Sequence, residues 1–243
     1  MRNVLITGSS RGIGAACARL FAESGDRVFI NYNNSQKSAE LLRNSLIKHG
    51  AQAVTVKCDV SDPEQVKSMF NEIGLICEGI DVLVNNAGIA QTKLFTEITD
   101  EDWHRMISTN LSSAFYCCRA AIPYMIRKKF GRIINISSMW GQVGGSCEVH
   151  YSAAKAGIIG LTKALAMEEG LSGITVNCVA PGVIKTDMTG NLSDEDLESL
   201  RQETPTGTIG LPEDISKAVF FLAKDESAFI NGQVLGVNGG FVV

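Results

Sequence analysis

The chain has 243 residues, of which 45% are hydrophobic and 20% are charged, and its formal net charge is −4 at pH 7. This composition suffices for one large core, and the acidic balance argues against nonspecific nucleic-acid binding, which needs a basic face. No apolar run approaches the roughly 20 residues needed to cross a bilayer, and no cleavable leader pattern begins the chain. We therefore expect a single cytoplasmic domain over residues 1–243 with no membrane partner.

Short apolar runs alternate with helical patterns along the whole chain. Several of these runs are apolar throughout, as is typical of parallel strands that are covered on both faces. The alternation predicts an α/β fold, namely a single doubly wound Rossmann-type domain whose seven-stranded parallel sheet has helices on both faces. The predicted strands cover residues 4–6, 28–31, 53–57, 82–84, 133–136, 175–179 and 233–237.

A glycine-rich turn follows the first predicted strand and precedes a helical pattern. Its sequence is Thr-Gly-Ser-Ser-Arg-Gly-Ile-Gly, with GxxxGxG spacing rather than the commoner GxGxxG. A strand, a glycine turn and a helix N-terminus in this order form an anion site, because the backbone can approach a pyrophosphate and the helix dipole favours its charge. The residues predicted to bind a dinucleotide here are Gly8, Ser10, Arg11, Gly12, Ile13 and Gly14.

The end of the second predicted strand indicates which dinucleotide binds. An acidic residue at this position would hold the adenine ribose and repel a 2′-phosphate. Here the strand continues into Asn33, Asn34 and Ser35 without a carboxylate. Arg11 and these side chains would instead hold the phosphate through charge-assisted hydrogen bonds, which favours NADPH (NADP+) over NADH. The alternative is a solvated Arg11 beside asparagines that only form a turn.

Ser138, Tyr151 and Lys155 form a second motif, in which the tyrosine and the lysine lie four residues apart in Tyr-Ser-Ala-Ala-Lys. On a helix this spacing places an ammonium beside a phenol and favours the ionised phenol. Lowering the pKa of tyrosine from about 10 to about 7 takes roughly 4 kcal/mol. The motif therefore predicts a proton donor, with the Ser138 hydroxyl holding a substrate oxygen.

With five further motifs in the same order, the chain resembles the short-chain dehydrogenase/reductase family from end to end. These motifs are Asp59-Val60, Asn85-Asn86-Ala87-Gly88, Asn110 with the run from Gly131 to Ser138, Pro181-Gly182 with Thr186, and Val237-Asn238-Gly239-Gly240. The resemblance implies hydride transfer between a nicotinamide and a carbonyl carbon. It also implies that the homologous positions Asp59, Val60, Asn86, Ala87, Gly88, Tyr151, Lys155, Pro181, Gly182, Ile184 and Thr186 contact the cofactor.

The resemblance further assigns roles to four catalytic residues. Tyr151 would protonate the developing alkoxide and Ser138 would polarise the carbonyl oxygen. Lys155 would lower the pKa of Tyr151 and hold the nicotinamide ribose, while Asn110 would connect Lys155 to a water chain that returns the proton. The cofactor performs the hydride chemistry.

Within the family, the chain is most similar to bacterial 3-oxoacyl-(acyl-carrier-protein) reductases. An acidic carrier needs basic residues beside the active-site mouth, and the candidates are Arg127, Lys128, Lys129 and Arg132. A short helix after Ser193 is expected to act as a lid, with Met188 and Leu192 contacting the substrate. The family also commonly forms homotetramers, and we expect one here.

The segment from 137 to 151 also resembles that of Firmicute reductases that act on a 5-aminopentanone group on a lysine of elongation factor P. In this alternative, Glu148 pairs with the ammonium of the substrate; otherwise it caps or flanks the N-terminus of the Tyr151 helix. Trp140 either lines the pocket or packs beneath the glycine-rich loop. A steroid or sugar alcohol dehydrogenase and a non-catalytic dinucleotide sensor also remain open, because fold does not fix function.

The sequence contains seven cysteines and three histidines. The cysteines lack CxxC spacing and mostly lie in apolar runs, so we expect reduced core residues, with no disulfide and no metal site. His49 and His104 are expected to be solvated. We expect His150, although it precedes Tyr151, to be exposed or to line the rim of the pocket.

Overall fold

The computed structural model describes residues 1–187, 189–190 and 193–243. Its strands form one parallel sheet in the order β3-β2-β1-β4-β5-β6-β7, which confirms the predicted fold class. The strands are β1 (Asn3–Ile6), β2 (Arg27–Tyr32), β3 (Ala53–Lys57), β4 (Val82–Asn85), β5 (Gly131–Ile136), β6 (Ile174–Pro181) and β7 (Val234–Val237). Each predicted strand is present, and its ends differ from the prediction by no more than two residues.

Helices connect successive strands and cover both faces of the sheet. They are α1 (Gly12–Glu23), α2 (Gln36–Lys48), α3 (Pro63–Gly74), α4 (Asp100–Ile107), α5 (Ser113–Lys128), α6 (Met139–Val143), α7 (Val149–Glu169), α8 (Asp194–Glu203) and α9 (Pro212–Leu222). None of these helices combines the length and apolarity that crossing a bilayer requires. A π-helix, Ser108–Ser112, joins α4 to α5.

Alternate residues of each strand supply two separate cores. On one face Val4 and Ile6 pack with Phe21 of α1 and Val219 of α9. On the other face Leu5 and its strand neighbours pack with residues of α3 and α5. Period-2 alternation between two covered faces explains why the strands are apolar throughout.

The strand order places a ligand crevice at the carboxyl edge of the sheet. The chain proceeds outwards from β1 to β3, returns to β4 beside β1, and continues in the other direction. Loops after β1 and β4 therefore diverge to opposite faces, which is the position where open α/β sheets bind ligands.

The basic patch predicted from Arg127, Lys128, Lys129 and Arg132 does not lie beside the active-site mouth, and two of these four residues form ion pairs. Its residues lie around the start of β5, whereas Ser138 follows the end of that strand, so within one chain they occupy the edge opposite the active site. Arg132 is buried and forms an ion pair with Asp225 at 3.7 Å, and Lys128 pairs with the buried Asp81. These side chains close the amino-terminal edge of the sheet.

All seven cysteines are free, and Cys17, Cys58, Cys117, Cys118 and Cys178 are buried. Burial raises the pKa of the Cys17 and Cys118 thiols to about 12, which keeps them protonated and unreactive. They therefore pack as small apolar side chains.

Candidate active site

Helix α7 brings Tyr151 and Lys155 together at the carboxyl edge of the sheet. The two residues are one turn apart, and Lys155 Nζ lies 5.7 Å from the centre of the Tyr151 ring. Lys155 is 4% exposed and donates a hydrogen bond to the carbonyl oxygen of Ile136 at 2.9 Å. Because Ile136 ends β5, this bond fixes the lysine against the strand that leads to Ser138.

Ser138 caps the short helix α6 directly after β5. Its hydroxyl accepts a hydrogen bond from Trp140 N at 3.2 Å and lies near enough to Tyr151 to lower the pKa of the phenol by hydrogen bonding. Gly141 allows α6 to approach α7, because a Cβ at this position would lie 2.6 Å from Ser137 Oγ and 2.8 Å from the Lys155 backbone. The sequence-predicted Ser138, Tyr151 and Lys155 are thus brought together.

The electrostatics of Tyr151 differ from the prediction. Desolvation raises the pKa of Tyr151 to about 12, because burial outweighs the hydrogen bond with Ser138, and the Glu148 charge raises it further. Burial also lowers the pKa of Lys155 to about 8. The spacing correctly placed the cation near the phenol, but it contained no information about how strongly both groups are desolvated.

The π-helix positions Asn110 beside the same site. Asn110 is 2% exposed, and its Oδ1 accepts a hydrogen bond from Ile89 N at 3.1 Å while its Nδ2 donates to Ile89 O at 3.0 Å. A Cβ on Gly88 would lie 2.6 Å from Asn110 Oδ1 and 3.4 Å from Lys155 Nζ. Only glycine at position 88 therefore lets the chain after β4 pass between these two side chains.

The glycine turn has the geometry of an anion site. Gly8 and Gly12 adopt positive φ angles of 61° and 54°, and a Cβ on Gly14 would lie 2.6 Å from Asn86 Nδ2. Arg11 is the N-cap of α1, where no side chain caps the helix and no acidic residue occupies the first turn. The free N–H groups and the helix dipole therefore suit the pyrophosphate of a dinucleotide.

Residues at the end of β2 divide into a buried and an exposed group. Asn31 is buried, accepts a hydrogen bond from Gly8 N at 3.0 Å and donates to the carbonyl oxygens of Val56 and Cys58, so it supports the turn structurally. Asn33 and Asn34 are exposed, and Ser35 is half-buried. Residues 31–35 at the end of β2 include no acidic side chain.

Arg11, the predicted phosphate ligand, is 65% exposed at its side chain. Its Nε lies 3.4 Å from Oδ2 of Asp187, which is equally exposed. Exposed pairs of this kind contribute about 0–1 kcal/mol, so a doubly charged phosphate competes readily with Asp187 for the guanidinium. Residues Arg11 and Gly88 also line a cleft of about 280 Å³ together with Gln91 and Arg105.

Sequence reasoning gave Thr7 no role of its own, yet it organises the floor of the crevice. Its buried hydroxyl accepts hydrogen bonds from the backbone N–H groups of Asn86 and Ala87, both at 3.0 Å. Asn86 Nδ2 in turn donates to the carbonyl oxygens of Thr7 and Gly8. The available signal was its position between the strand and the glycine turn.

The remaining predicted cofactor residues border the same crevice. Asp59 accepts hydrogen bonds from the Ser61 backbone and hydroxyl, and Val60 is buried. Pro181 ends β6, and Gly182 and Ile184 follow it. Thr186 lies next to Gly12, because a Cβ on Gly12 would be in van der Waals contact with the Thr186 methyl group at 3.6 Å. The loops after β1 and β6 therefore meet over the crevice.

Glu148 is the N-cap residue of α7, but its side chain makes no capping hydrogen bond. It is half-buried, desolvation raises its pKa, and within the described parts of the chain it forms no ion pair. Glu148 therefore does not cap α7 through a side-chain hydrogen bond. Its half-buried carboxylate lies beside Tyr151.

Trp140 packs beneath the glycine-rich loop, as one of its two interpretations predicted. A Cβ on Gly145 would lie 3.0 Å from the indole, and the ring meets Phe241 edge-on with centroids 6.0 Å apart. The indole thus links the loop before α7 to the C-terminal segment. Met188 and Leu192, the other predicted substrate residues, lie outside the described residues.

The expectation that His150 is exposed or lines the rim is wrong, because its side chain is fully buried. His49 and His104 are exposed, as expected. His150 faces inward because α4 and the loop after β4 pack over the first turn of α7, a tertiary contact that no local pattern announces.

Comparisons with known proteins agree with this geometry. A family model described as enoyl-(acyl carrier protein) reductase matches residues 8–242. The 3-oxoacyl-(acyl-carrier-protein) reductase FabG of Staphylococcus aureus is 42% identical over 239 residues, which cover 98% of this chain and 97% of the relative. The chain belongs to the short-chain dehydrogenase/reductase family. Membership of this family makes it an oxidoreductase that acts on CH–OH or C=O groups.

Two further comparisons place this short-chain dehydrogenase/reductase among its relatives. FabG of Escherichia coli is 43% identical over 236 residues, which cover 97% of this chain and 95% of the relative. The crystal structure of a protein from Agrobacterium tumefaciens assigned as a gluconate dehydrogenase superposes with a TM-score of 0.95 at 35% identity, covering 100% of this chain and 97% of that one. The conserved architecture therefore accommodates relatives named for different substrates.

Proposed function

We propose that the protein is an NADPH-dependent ketone reductase of the 3-oxoacyl-(acyl-carrier-protein) reductase type, which serves fatty acid biosynthesis. The observation that carries the proposal is the convergence of Asn110, Ser138, Tyr151 and Lys155 at one edge of the sheet, beside an anion-binding glycine turn. The similarity to two FabG proteins, at 42% and 43% identity over nearly the whole chain, supports the substrate class.

The residues have consistent roles in reduction. Ser138 and Tyr151 would hold the carbonyl oxygen of the substrate. NADPH, when bound at the glycine turn, would supply the hydride. Tyr151, whose pKa of about 12 keeps it neutral at physiological pH, transfers its proton to the alkoxide, which is a far stronger base than a phenolate. Lys155 in its ammonium form stabilises the phenolate that remains.

The choice of NADPH rests on charge at the crevice. Asn33, Asn34 and Ser35 present hydrogen-bond donors where a carboxylate would repel a 2′-phosphate, and Arg11 supplies an exposed guanidinium. Together they would hold the phosphate through charge-assisted hydrogen bonds. NADH lacks the group that these side chains bind.

The test is steady-state reduction of acetoacetyl thioester, free and attached to acyl carrier protein, with NADPH and with NADH. We expect turnover with NADPH on both substrates and a lower KM for the carrier-bound form. Absence of thioester turnover, in a preparation that reduces a simple ketone, would leave the reductase chemistry and remove the proposed substrate.

A second substrate is favoured by Glu148. This half-buried carboxylate lies beside the proton donor, has a raised pKa and makes no capping bond, so it is available to an ammonium group. A fatty acyl chain has no such group, whereas the aminoketone of a 5-aminopentanone on a lysine of elongation factor P does. An ionic hydrogen bond in this position contributes about 1.5–3 kcal/mol.

Glu148→Gln distinguishes the two substrates. We expect kcat/KM for an aminoketone to fall by about 10- to 150-fold, equivalent to about 1.5–3 kcal/mol, and kcat/KM for acetoacetyl thioester to change little. Glu168→Gln, at an exposed position on the same helix, is the matched control. Equal losses on both substrates would instead assign Glu148 to the electrostatics of Tyr151.

An oligomer, a homotetramer by analogy with the family, and a cytoplasmic location complete the proposal. Exposed apolar side chains support association, because Met167 is 87% exposed and Phe229 is fully exposed in the single chain. Acyl carrier protein or elongation factor P would then be a transient partner. Sedimentation equilibrium measures the assembly directly.

A further inference from the structure

The side chain of His150 is fully buried and directly precedes Tyr151 in the chain, yet the proposed reductase chemistry gives it no role. Its Nε2 lies 3.0 Å from Oε1 of Gln91, and its Nδ1 has no hydrogen-bond partner among the described residues. Since the amide oxygen only accepts, Nε2 carries a proton. A second proton on Nδ1 would be buried without an acceptor among the described residues, so the neutral ring is favoured. In this tautomer Nδ1 carries a lone pair and no proton, so no N–H group is buried there without an acceptor.

The orientation of Gln91 is fixed from its other side. Its Nε2 donates to Oδ1 of Asp102 at 3.0 Å, and Asp102 Oδ2 accepts from Lys93 Nζ at 2.6 Å and from Thr99 N at 3.2 Å. A carboxylate cannot donate, so the amide nitrogen must face Asp102 and the amide oxygen must face His150. The sequence of donors and acceptors from α4 to α7 therefore has only one self-consistent arrangement.

The loop that contains Gln91 is bonded to both sides of the active site. At one end Ile89 exchanges two hydrogen bonds with Asn110. At the other end Lys93 N donates to the carbonyl oxygen of Cys147 at 2.7 Å, immediately before α7. The His150–Gln91 bond is a side-chain connection between this loop and the helix turn that contains Tyr151.

The first turn of α7 needs such an anchor. Its N-cap residue, Glu148, makes no capping hydrogen bond, and uncapped first turns leave N–H groups unsatisfied and fray. Tyr151 lies in this turn, so fraying would move the proton donor. Displacements of about 1 Å at a reacting group can cost on the order of 100-fold in rate.

We propose that His150 is a positioning residue that, through Gln91 and Asp102, holds the first turn of α7 so that the Tyr151 hydroxyl faces the substrate carbonyl. The proposal rests on Tyr151 as the proton donor but not on the identity of the ketone. It also requires neutral His150, because a proton on Nδ1 would be buried without an acceptor.

The charges around His150 are consistent with a neutral ring. Burial lowers its pKa, the Asp102 carboxylate on α4 raises it, and the Lys93 ammonium on the loop lowers it. Protonation in acid would therefore strain the contact between α7 and the loop, and catalysis would weaken before the fold is lost.

Two substitutions separate positioning from simple packing. His150→Gln retains a donor that reaches Gln91 and cannot titrate, whereas His150→Leu has similar bulk and no polar group. With any ketone that the wild type reduces, we expect His150→Leu to lower kcat about tenfold, with KM and the NADPH dissociation constant within about threefold. His150→Gln should keep kcat within about threefold of wild type, and His49→Leu, at an exposed site, should change nothing.

A pH profile adds a readout that packing does not move. Because burial lowers the pKa of His150 below its ordinary value of about 6.5, wild-type kcat should fall below about pH 6.5 on an acid limb that His150→Gln lacks. Equal kcat in wild type and His150→Leu, equal losses in both variants, or an identical acid limb in His150→Gln would each overturn the proposal. Failure of the thioester substrate alone would not affect these comparisons, because they use a simple ketone.

Discussion

Lys155 provides the sharpest quantitative test, because the proposed mechanism needs its charge while its burial destabilises the charged form. Burial lowers its pKa from 10.5 to about 8. The unfolded chain therefore binds more protons than the native protein between these values, and native stability rises with pH across this window. At pH 7 the charged lysine costs about 3 kcal/mol relative to an exposed one, at 1.36 kcal/mol per pKa unit.

The perturbation is Lys155→Met, which retains the apolar stem and removes the titration. The carbonyl of Ile136 loses its donor, a cost of about 1–3 kcal/mol that does not depend on pH. The stability of the variant relative to wild type should therefore decline by about 2 kcal/mol from pH 7 to about pH 9.5, because only the wild type gains from deprotonation. Reductase activity should be lost throughout.

Urea unfolding at a series of pH values measures this difference, and other titrating groups cancel because both proteins share them. Lys163→Met, at an exposed position on the same helix, is the matched control and should show a constant difference from wild type. A difference for Lys155→Met that is independent of pH would refute the argument that Lys155 is desolvated.

Three further predictions follow from the site. Tyr151→Phe should lower kcat by several orders of magnitude while NADPH binding, measured by fluorescence titration, is retained; more than about a tenth of wild-type activity would contradict the proton-donor role. Arg11→Ala should weaken NADPH binding at least tenfold and NADH binding little, with the exposed Arg19→Ala as control; parallel losses for both cofactors would contradict phosphate recognition. In the reductive direction kcat/KM should fall above about pH 8 as Lys155 loses its proton, and a profile that stays flat to pH 10 would contradict that assignment.

Tertiary structure decided the features that depend on desolvation and on long-range contact. The spacing of Tyr151 and Lys155 predicted their proximity, but whether the phenol pKa rises or falls depends on how much water the surrounding elements exclude. The burial of His150 depends on α4 and the loop after β4, which are distant in sequence. Arg132 is buried rather than solvent-exposed because other elements pack around the start of β5, which the local sequence does not show.

The sequence by itself determined the fold class, the seven strands and the placement of Ser138, Tyr151 and Lys155 at one edge of the sheet. Strand polarity and apolar period are local properties, and parallel topology then forces every loop after a strand to the same edge. The sequence also predicted the glycine turn, because the positive φ angles at Gly8 and Gly12 and the close packing at Gly14 exclude other residues. The ionisation and burial of polar side chains depend on all the elements packed around them, so only the tertiary structure determines them.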